Sequence, residues 1–310
     1  MVYTIGETVF DIVFSRMNPI AAKVGGSALN SAVTCSQLGA RVSFVSEIGT
    51  DTVGSHCLNF LEQHAISTNY VTRYDSHPTS LALAFLDANS NASYNFYKQL
   101  PAEFICKPIP LVSEDIVLFS SSFAMNARSR NSLVTILQKA IGVNALRMYD
   151  PNMRKPINQN SLEMNYIHEN ISYAHIVRAS YEDCLLLFNH TRFDEIFEFL
   201  YSKGVQVAVF TKSNQAVEIF TSYMHKQYAV PCINPISTIG AGDTFNAAIL
   251  YALYVKKVSG ETLPYVSVDF WDIVIPFAIA CSSRVCMSYD NYLDAAEAEQ
   301  LQQLYNVGLL

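Results

Sequence analysis

The most chemically pointed pattern in the chain is Ser-Thr-Ile-Gly-Ala-Gly-Asp-Thr-Phe at residues 237–245. It closes an apolar, strand-rich region and opens an apolar helix expected over about 243–255. Gly240 and Gly242 let backbone approach a ligand closely, because neither carries a side chain. A helix that starts here aims its first unpaired N–H groups, and the positive end of its dipole, at the loop. Such an arrangement suits a phosphate or a developing negative charge. Asp243 repels phosphate, so its placement calls for another job: accepting the proton of a hydroxyl that attacks a phosphoryl group. On these residues alone, an N-cap Asp after a Gly-rich turn is the commoner arrangement. A dinucleotide fingerprint is weaker, since the third glycine of G-x-G-x-x-G would fall at Phe245.

A second pattern shifts that balance. Gly25-Gly26 is followed by Asn30, a helix of small residues, Leu38-Gly39, and then Gly49-Thr-Asp51-Thr-Val-Gly54. With the 237–245 loop, it resembles the two signatures of the ribokinase-like sugar kinases, the PfkB family. The first signature is complete. The second departs at one position, where Ser237 replaces the usual Asp. The resemblance runs from Gly6 to about Asp290, and two signatures in the family's order make it specific.

What the resemblance implies is ATP- and Mg²⁺-dependent phosphorylation of a sugar hydroxyl. Asp243 would be the base, and the Gly240, Ala241 and Gly242 backbone the anion hole. On the sugar side it implies Asp11, Gly25, Gly26 and Asn30, whose amide both donates and accepts. Asp150-Pro151-Asn152-Met153-Arg154 resembles a segment of fructokinases and 2-keto-3-deoxygluconate kinases, with Asn152 and Arg154 as substrate contacts. A bidentate Arg154 suits a phosphate or carboxylate, and an exposed Arg after a turn is the plain alternative. Together with the Gly6-Glu7…Asp11 opening, this segment tilts the expected acceptor toward fructose. Other sugars, 2-keto-3-deoxygluconate and nucleosides stay open.

On the nucleotide side the family implies Ser180, Asp183, Thr211, Ser213, Thr238, Ala278 and Cys281. Asp183 would act on Mg²⁺ through water; helix capping by Ser180 and the acids after it is an equal alternative. Ser213 and Ala216 stand where the family has glycines, so backbone approach there must differ. Ala278 and Cys281 sit in a small-residue helix that would equally serve tight packing. A neutral Ser237 attracts a monovalent cation less than a carboxylate does, so weak or absent potassium activation is expected. These departures all lie on the phosphate side, which would also suit a non-catalytic sugar-binding regulatory protein on the same fold. Retention of Gly240-Ala241-Gly242-Asp243 favours the enzyme.

These residues need strand ends and helix starts to hold them. Strands are expected at 2–5, 9–14, 42–46, 81–86, 94–97, 116–120, 146–149, 175–178 and 205–210. Helices are expected at 27–38, 53–64, 128–141, 181–188, 192–202, 243–255, 269–287 and 293–305. The alternation implies a three-layer α/β/α sandwich with a mostly parallel sheet, ligands lying at the strands' carboxyl ends. Residues 9–14 and 80–97 do not fit the alternation. In the family such segments build a small β-lid over the sugar, with Tyr94 and Phe96 on one hairpin face; an edge extension of the main sheet is the alternative. One domain over 1–310 is expected, and a homodimer through the lid is the expected assembly.

Composition sets outer bounds. Half of the 310 residues are hydrophobic, enough for a large core, and the net charge of −7 comes with no basic cluster. Nucleic acid is therefore not an expected partner. No stretch of about 18 apolar residues suggests a membrane span. Gly6, Glu7 and Asp11 interrupt the N-terminal apolar run, unlike a signal peptide. The seven scattered cysteines match no zinc spacing and read as reduced, buried thiols, with the cytoplasm as the expected compartment.

Overall fold

In the computed structural model, residues 1–86, 92–153 and 155–308 are described. Arg154, residues 87–91 and the side chain of Tyr94 lie outside that set.

The first half comprises β1 (Val2–Ile5), β2 (Val9–Ser15), β3 (Asn18–Gly25), α1 (Ser27–Gln37), β4 (Val42–Gly49), α2 (Thr52–Gln63), β5 (Ser67–Tyr74), β6 (Leu81–Leu86) and β7 (Ala92–Tyr97). A doubly wound half follows: β8 (Ile116–Ser120), α3 (Ser121–Ala124), α4 (Ala127–Gly142), β9 (Leu146–Asp150), α5 (Leu162–Tyr173), β10 (Ile176–Ser180), α6 (Tyr181–Phe188), α7 (Phe193–Ser202) and β11 (Val207–Lys212). The hairpin β12 (Ala216–Thr221) and β13 (Met224–Ala229) leads to α8 (Ala241–Val255), α9 (Val268–Val285) and α10 (Ala295–Asn306).

Nine strands form the main sheet in the order β13-β12-β11-β10-β9-β8-β1-β4-β5. Only β12 runs against the rest. β1, β4, β8 and β9 are buried throughout, as strands covered on both faces must be. One face packs on α1, α2, α8, α9 and α10 around Phe44, Trp271 and Phe277. The other packs on α3 to α7 around Phe119, Tyr149 and Phe210. β1 pairs with β4 on one side and β8 on the other, so the winding reverses there. That reversal opens a crevice at the carboxyl ends.

The lid is a separate four-stranded sheet, β3-β2-β6-β7, and not an edge extension of the main one. Strand β3 was not expected. Its Pro19 and Gly25 are poor strand residues, and the β2–β3 ladder slips at Val13/Phe14. Also unforeseen were β5, α3, α5 and the β12–β13 hairpin. The register sets Asp11 beside Lys23 and Ala82 in the middle of the lid, so Asp11 is not a strand end.

The Gly49-x-Asp51-x-x-Gly54 motif fixes where the lid leaves the main sheet. Asp51 caps α2 by accepting from Gly54 N (2.7 Å). It also accepts from Thr79 N and the Thr79 hydroxyl, both at 2.8 Å, two residues before β6. A side chain at Gly54 would lie 2.0 Å from the Gly49 carbonyl, so only glycine closes this corner.

Candidate active site

Helices α1 and α8 pack along a stripe of small residues. Ser27, Ser31 and Cys35 recur every four positions of α1, on one face. Ser31 Oγ donates to the Asp243 carbonyl (2.9 Å) and Cys35 Sγ to the Ala247 carbonyl (3.3 Å). This locks the first turn of α8 against α1. In α8 every residue from Asp243 to Leu253 is buried.

Asp243 therefore sits in a fixed place, only 6% exposed. Its Oδ1 accepts from Ser27 Oγ at 2.6 Å and its Oδ2 from Asn30 Nδ2 at 2.8 Å. Asn30 Oδ1 is buried with no partner among the described residues. Asp243 is not the N-cap of α8; that position is Gly240, in the left-handed region at φ 82°. A side chain at Gly240 would lie 2.0 Å from the Asn291 carbonyl, so the turn requires glycine twice over. The first-turn N–H groups of α8 have no carbonyl four residues back within the helix. Ser282 of α9 steadies the loop by donating to the Ala241 carbonyl (3.0 Å).

Behind Gly242 lies a guanidinium that sequence reasoning missed. Arg178 Nη1 would be 2.9 Å from a side chain at Gly242. It donates to Asp150 Oδ2 at 3.1 Å, and Nη2 donates to Thr211 Oγ1 at 2.6 Å. Asn246 Nδ2 also donates to Asp150 Oδ2 (2.6 Å). Asp150 is fully buried, and burial, despite the Arg178 charge beside it, holds its carboxyl above the usual range. Among the described residues, Arg178 Nε, Thr244 Oγ1 and Asn246 Oδ1 are buried without partners, as is Asn30 Oδ1. Each such orphan costs about 1–3 kcal/mol. Those of Asn30 and Arg178 belong to side chains already in the site, on Asp243 and behind Gly242.

The sequence-expected residues separate into groups. Asn152 joins the centre: its Nδ2 donates to Ser27 Oγ (2.8 Å), and its own N–H bonds Asp150 Oδ1 (2.9 Å) at a left-handed φ of 42°. At Gly25 and Gly26 the close neighbours are the chain's own atoms. A side chain at Gly25 would meet the Asp11 carboxylate at 2.3 Å, and one at Gly26 the Glu7 carbonyl at 2.1 Å. Glu7 is held by Lys98 (2.6 Å) and Ser122 (2.5 Å), tying the end of the lid to α3.

Asp183 is 3% exposed. It forms a capping box with Ser180 and accepts from Met153 N (2.6 Å) and Ser180 N (2.7 Å). Capping and bracing of the 150–153 loop are thus its observed work. Ala278 and Cys281 are both 0% exposed in the core, where small residues let α9 pack tightly. Thr211 Oγ1 accepts from Arg178, and Ser213 sits at φ 46° in the β11–β12 turn. Ser237 Oγ accepts from Ile239 N (3.2 Å), and the Thr238 carbonyl from Ala241 N (3.3 Å), so both shape the loop. Two cysteines also differ from expectation: Cys232 is exposed and Cys106 half-exposed. Among the described residues, no group of three or more His, Cys, Asp and Glu is placed to hold a metal, and no helix is long and apolar enough to cross a membrane.

Comparison with known proteins identifies the family. The model of the pfkB family carbohydrate kinases matches residues 3–263. A fructokinase of Vibrio alginolyticus is 22% identical over 256 residues, covering 81% of this chain and 83% of its own. A fructokinase of Vibrio cholerae O395, solved with fructose, ADP and calcium, superposes with a TM-score of 0.83 at 18% identity, over 97% of this chain and 98% of that one. Aminoimidazole riboside kinase of Salmonella enterica, solved with aminoimidazole riboside and an ATP analogue, gives 0.83 at 16% identity, over 98% and 99%. The architecture is thus the ribokinase-like α/β fold with its small lid sheet, and the chain belongs to the pfkB family of carbohydrate kinases.

Proposed function

We propose that the chain transfers the γ-phosphoryl group of ATP to a sugar hydroxyl, with fructose as the leading acceptor and fructose 6-phosphate as product. The observation that carries this reading is Asp243. It is a buried carboxylate in the first turn of α8, with one oxygen on Ser27 and the other on Asn30, beside a left-handed Gly240. In this reading Asp243 accepts the proton of the acceptor hydroxyl as its oxygen bonds to phosphorus and the bond to ADP breaks. First-turn N–H groups of α8 stabilise the charge on the transferred group, and Arg178 adds a fixed positive charge behind Gly242. The carbonyl of buried Asn30 supplies an acceptor for a sugar hydroxyl. Mg²⁺ bound with ATP would supply charge neutralisation, and because it keeps several waters it would need no all-protein cage.

Fructose is favoured by Gly6-Glu7…Asp11, by Asp150-Pro151-Asn152-x-Arg154, and by relatives named fructokinase. The likeness to a riboside kinase supports a nucleoside-like acceptor as second reading. On the outer lid face, Phe14 stacks on Phe85 at 5.1 Å and Ile20 and Tyr97 are 58% exposed, which supports pairing of two subunits through the lid. Seven unpaired cysteines fit a reducing cytoplasm. ATP consumption with Mg²⁺ over a panel of fructose, other hexoses, ribose, 2-keto-3-deoxygluconate and nucleosides tests the reading. Fructose should give the highest kcat/KM. Turnover on a riboside alone replaces the acceptor, and binding of sugar with no transfer on any member overturns the kinase.

A further inference from the structure

We propose that Ser27 and Asn152 form a positioning relay that holds the Asp243 carboxylate in place and sets its basicity; this rests on the reading of Asp243 as proton acceptor. Ser27 is the first residue of α1, yet its hydroxyl takes no part in capping that helix. It reaches Asp243 Oδ1, 216 positions away, at 2.6 Å. The direction of its proton is determined by its other neighbour. Asn152 Nδ2, at 2.8 Å, only donates. Ser27 Oγ must therefore accept from Asn152 and give its single proton to Asp243.

Asn152 is in turn fixed by its left-handed backbone and by its N–H on Asp150 Oδ1. The buried Arg178–Asp150 pair thus holds the Asn152 backbone, while the Asn152 side-chain amide, Ser27 and Asp243 form one hydrogen-bonded chain. The two bonds of that chain polarise each other.

Docking of α1 on α8 does not need this hydroxyl. Ser31 and Cys35, on the next two turns, already donate to α8 carbonyls. Ser27 is thus the one member of the stripe that spends its proton on the carboxylate. A donor to an ionised carboxylate favours the charged form, so its loss makes the carboxyl harder to ionise. The other charged groups facing this region stay unchanged: Asp150 on β9, Arg178 on β10 and Asp183 on α6, with the Asp11 carboxylate of the lid beside Gly25.

The test is a ¹³C NMR titration of the Asp243 carboxyl carbon, assigned from the signal missing in Asp243→Asn, in wild type, Ser27→Ala, Ser27→Thr and Asn152→Gly. Gly suits the left-handed position without strain. Ser27→Ala should raise the midpoint by about one pH unit, the size expected for one charge-assisted bond. Ser27→Thr should restore it, and Asn152→Gly should raise it less. The double variant should match Ser27→Ala, because Asn152 acts through Ser27. The acid limb of kcat/KM with fructose and ATP should move with the titration. An unmoved midpoint in Ser27→Ala, or additive shifts in the double variant, overturns the relay. If Asp243→Asn turns over like wild type, base and relay both fall. If Asp243→Asn is inactive while Ser27→Ala titrates normally, only the relay does.

Discussion

Adding one methyl group at Gly242 tests whether Arg178 braces the anion loop. The Cβ of Gly242→Ala would lie 2.9 Å from Arg178 Nη1 and 3.3 Å from Nη2. Ordinary contact begins near 3.4 Å, so the guanidinium must retreat by about 0.5 Å, and it is no free end. Its side chain is 10% exposed and is tied to Asp150 at 3.1 Å and Thr211 at 2.6 Å. A shift of that size takes the Asp150 contact beyond hydrogen-bond range. Losing one charged hydrogen bond inside the protein costs about 1.5–3 kcal/mol. Alanine in place of a helical glycine returns about 1 kcal/mol. The net expectation is a loss of about 0.5–2 kcal/mol, or roughly 1–3 °C in Tm for a chain of 310 residues, with kcat/KM falling at least tenfold. Gly142→Ala is the matched control: it also sits in a helix, with nothing within 4 Å, and should be neutral or slightly stabilising. Thermal melts and steady-state kinetics of both variants decide it. If Gly242→Ala behaves like Gly142→Ala, Arg178 does not pack on the loop and the proposed electrostatics there are wrong.

Three other outcomes follow from the same geometry. Asp51→Ala removes an N-cap and both bonds to Thr79, so it should cost about 2 kcal/mol in urea melts, against about 1 for Asp294→Ala, which caps α10 only; equal costs would deny the tie to the lid. Burial, helped by the Arg147 charge, pushes the His175 imidazole from 6.5 down to about 3. Below pH 6.5 the unfolded chain binds a proton that the fold rejects, so stability is full above 6.5 and drains as pH falls toward 3. Between pH 6.5 and 5 this amounts to up to about 2 kcal/mol, and a His175→Gln variant should lose that much less in denaturant melts over the same interval. Potassium at constant ionic strength should change kcat by less than twofold, because Ser237 is neutral; a several-fold gain contradicts that.

How much of this was legible depended on how far apart the partners lie along the chain. The α8 loop announced itself because two glycines, an Asp and an apolar run are adjacent. The Ser180–Asp183 capping box was visible in its three-residue spacing. Gly25 and Gly26 were recognisable, but what they make room for was not, since Asp11 and the Glu7 carbonyl arrive through the β2–β3 pairing and the loop before it. Strand β3 was hidden by its Pro19, its Gly25 and a bulge in its ladder. Arg178 looked like an ordinary strand residue, and only the parallel pairing of β9, β10 and β11 brings it to Asp150 and Thr211. The stripe Ser27-Ser31-Cys35 has helical spacing, yet its partner helix lies more than 200 residues on.

The central claim is that Asp243 takes the proton when a sugar hydroxyl receives phosphate. It is tested most directly by single-turnover transfer from ATP to fructose, with Mg²⁺, in wild type and Asp243→Asn. The amide keeps the shape and loses the proton acceptor. The account predicts an unchanged fold by circular dichroism and a transfer rate lower by about 10²–10⁴. Transfer within a few-fold of wild type by a folded Asp243→Asn protein would contradict it.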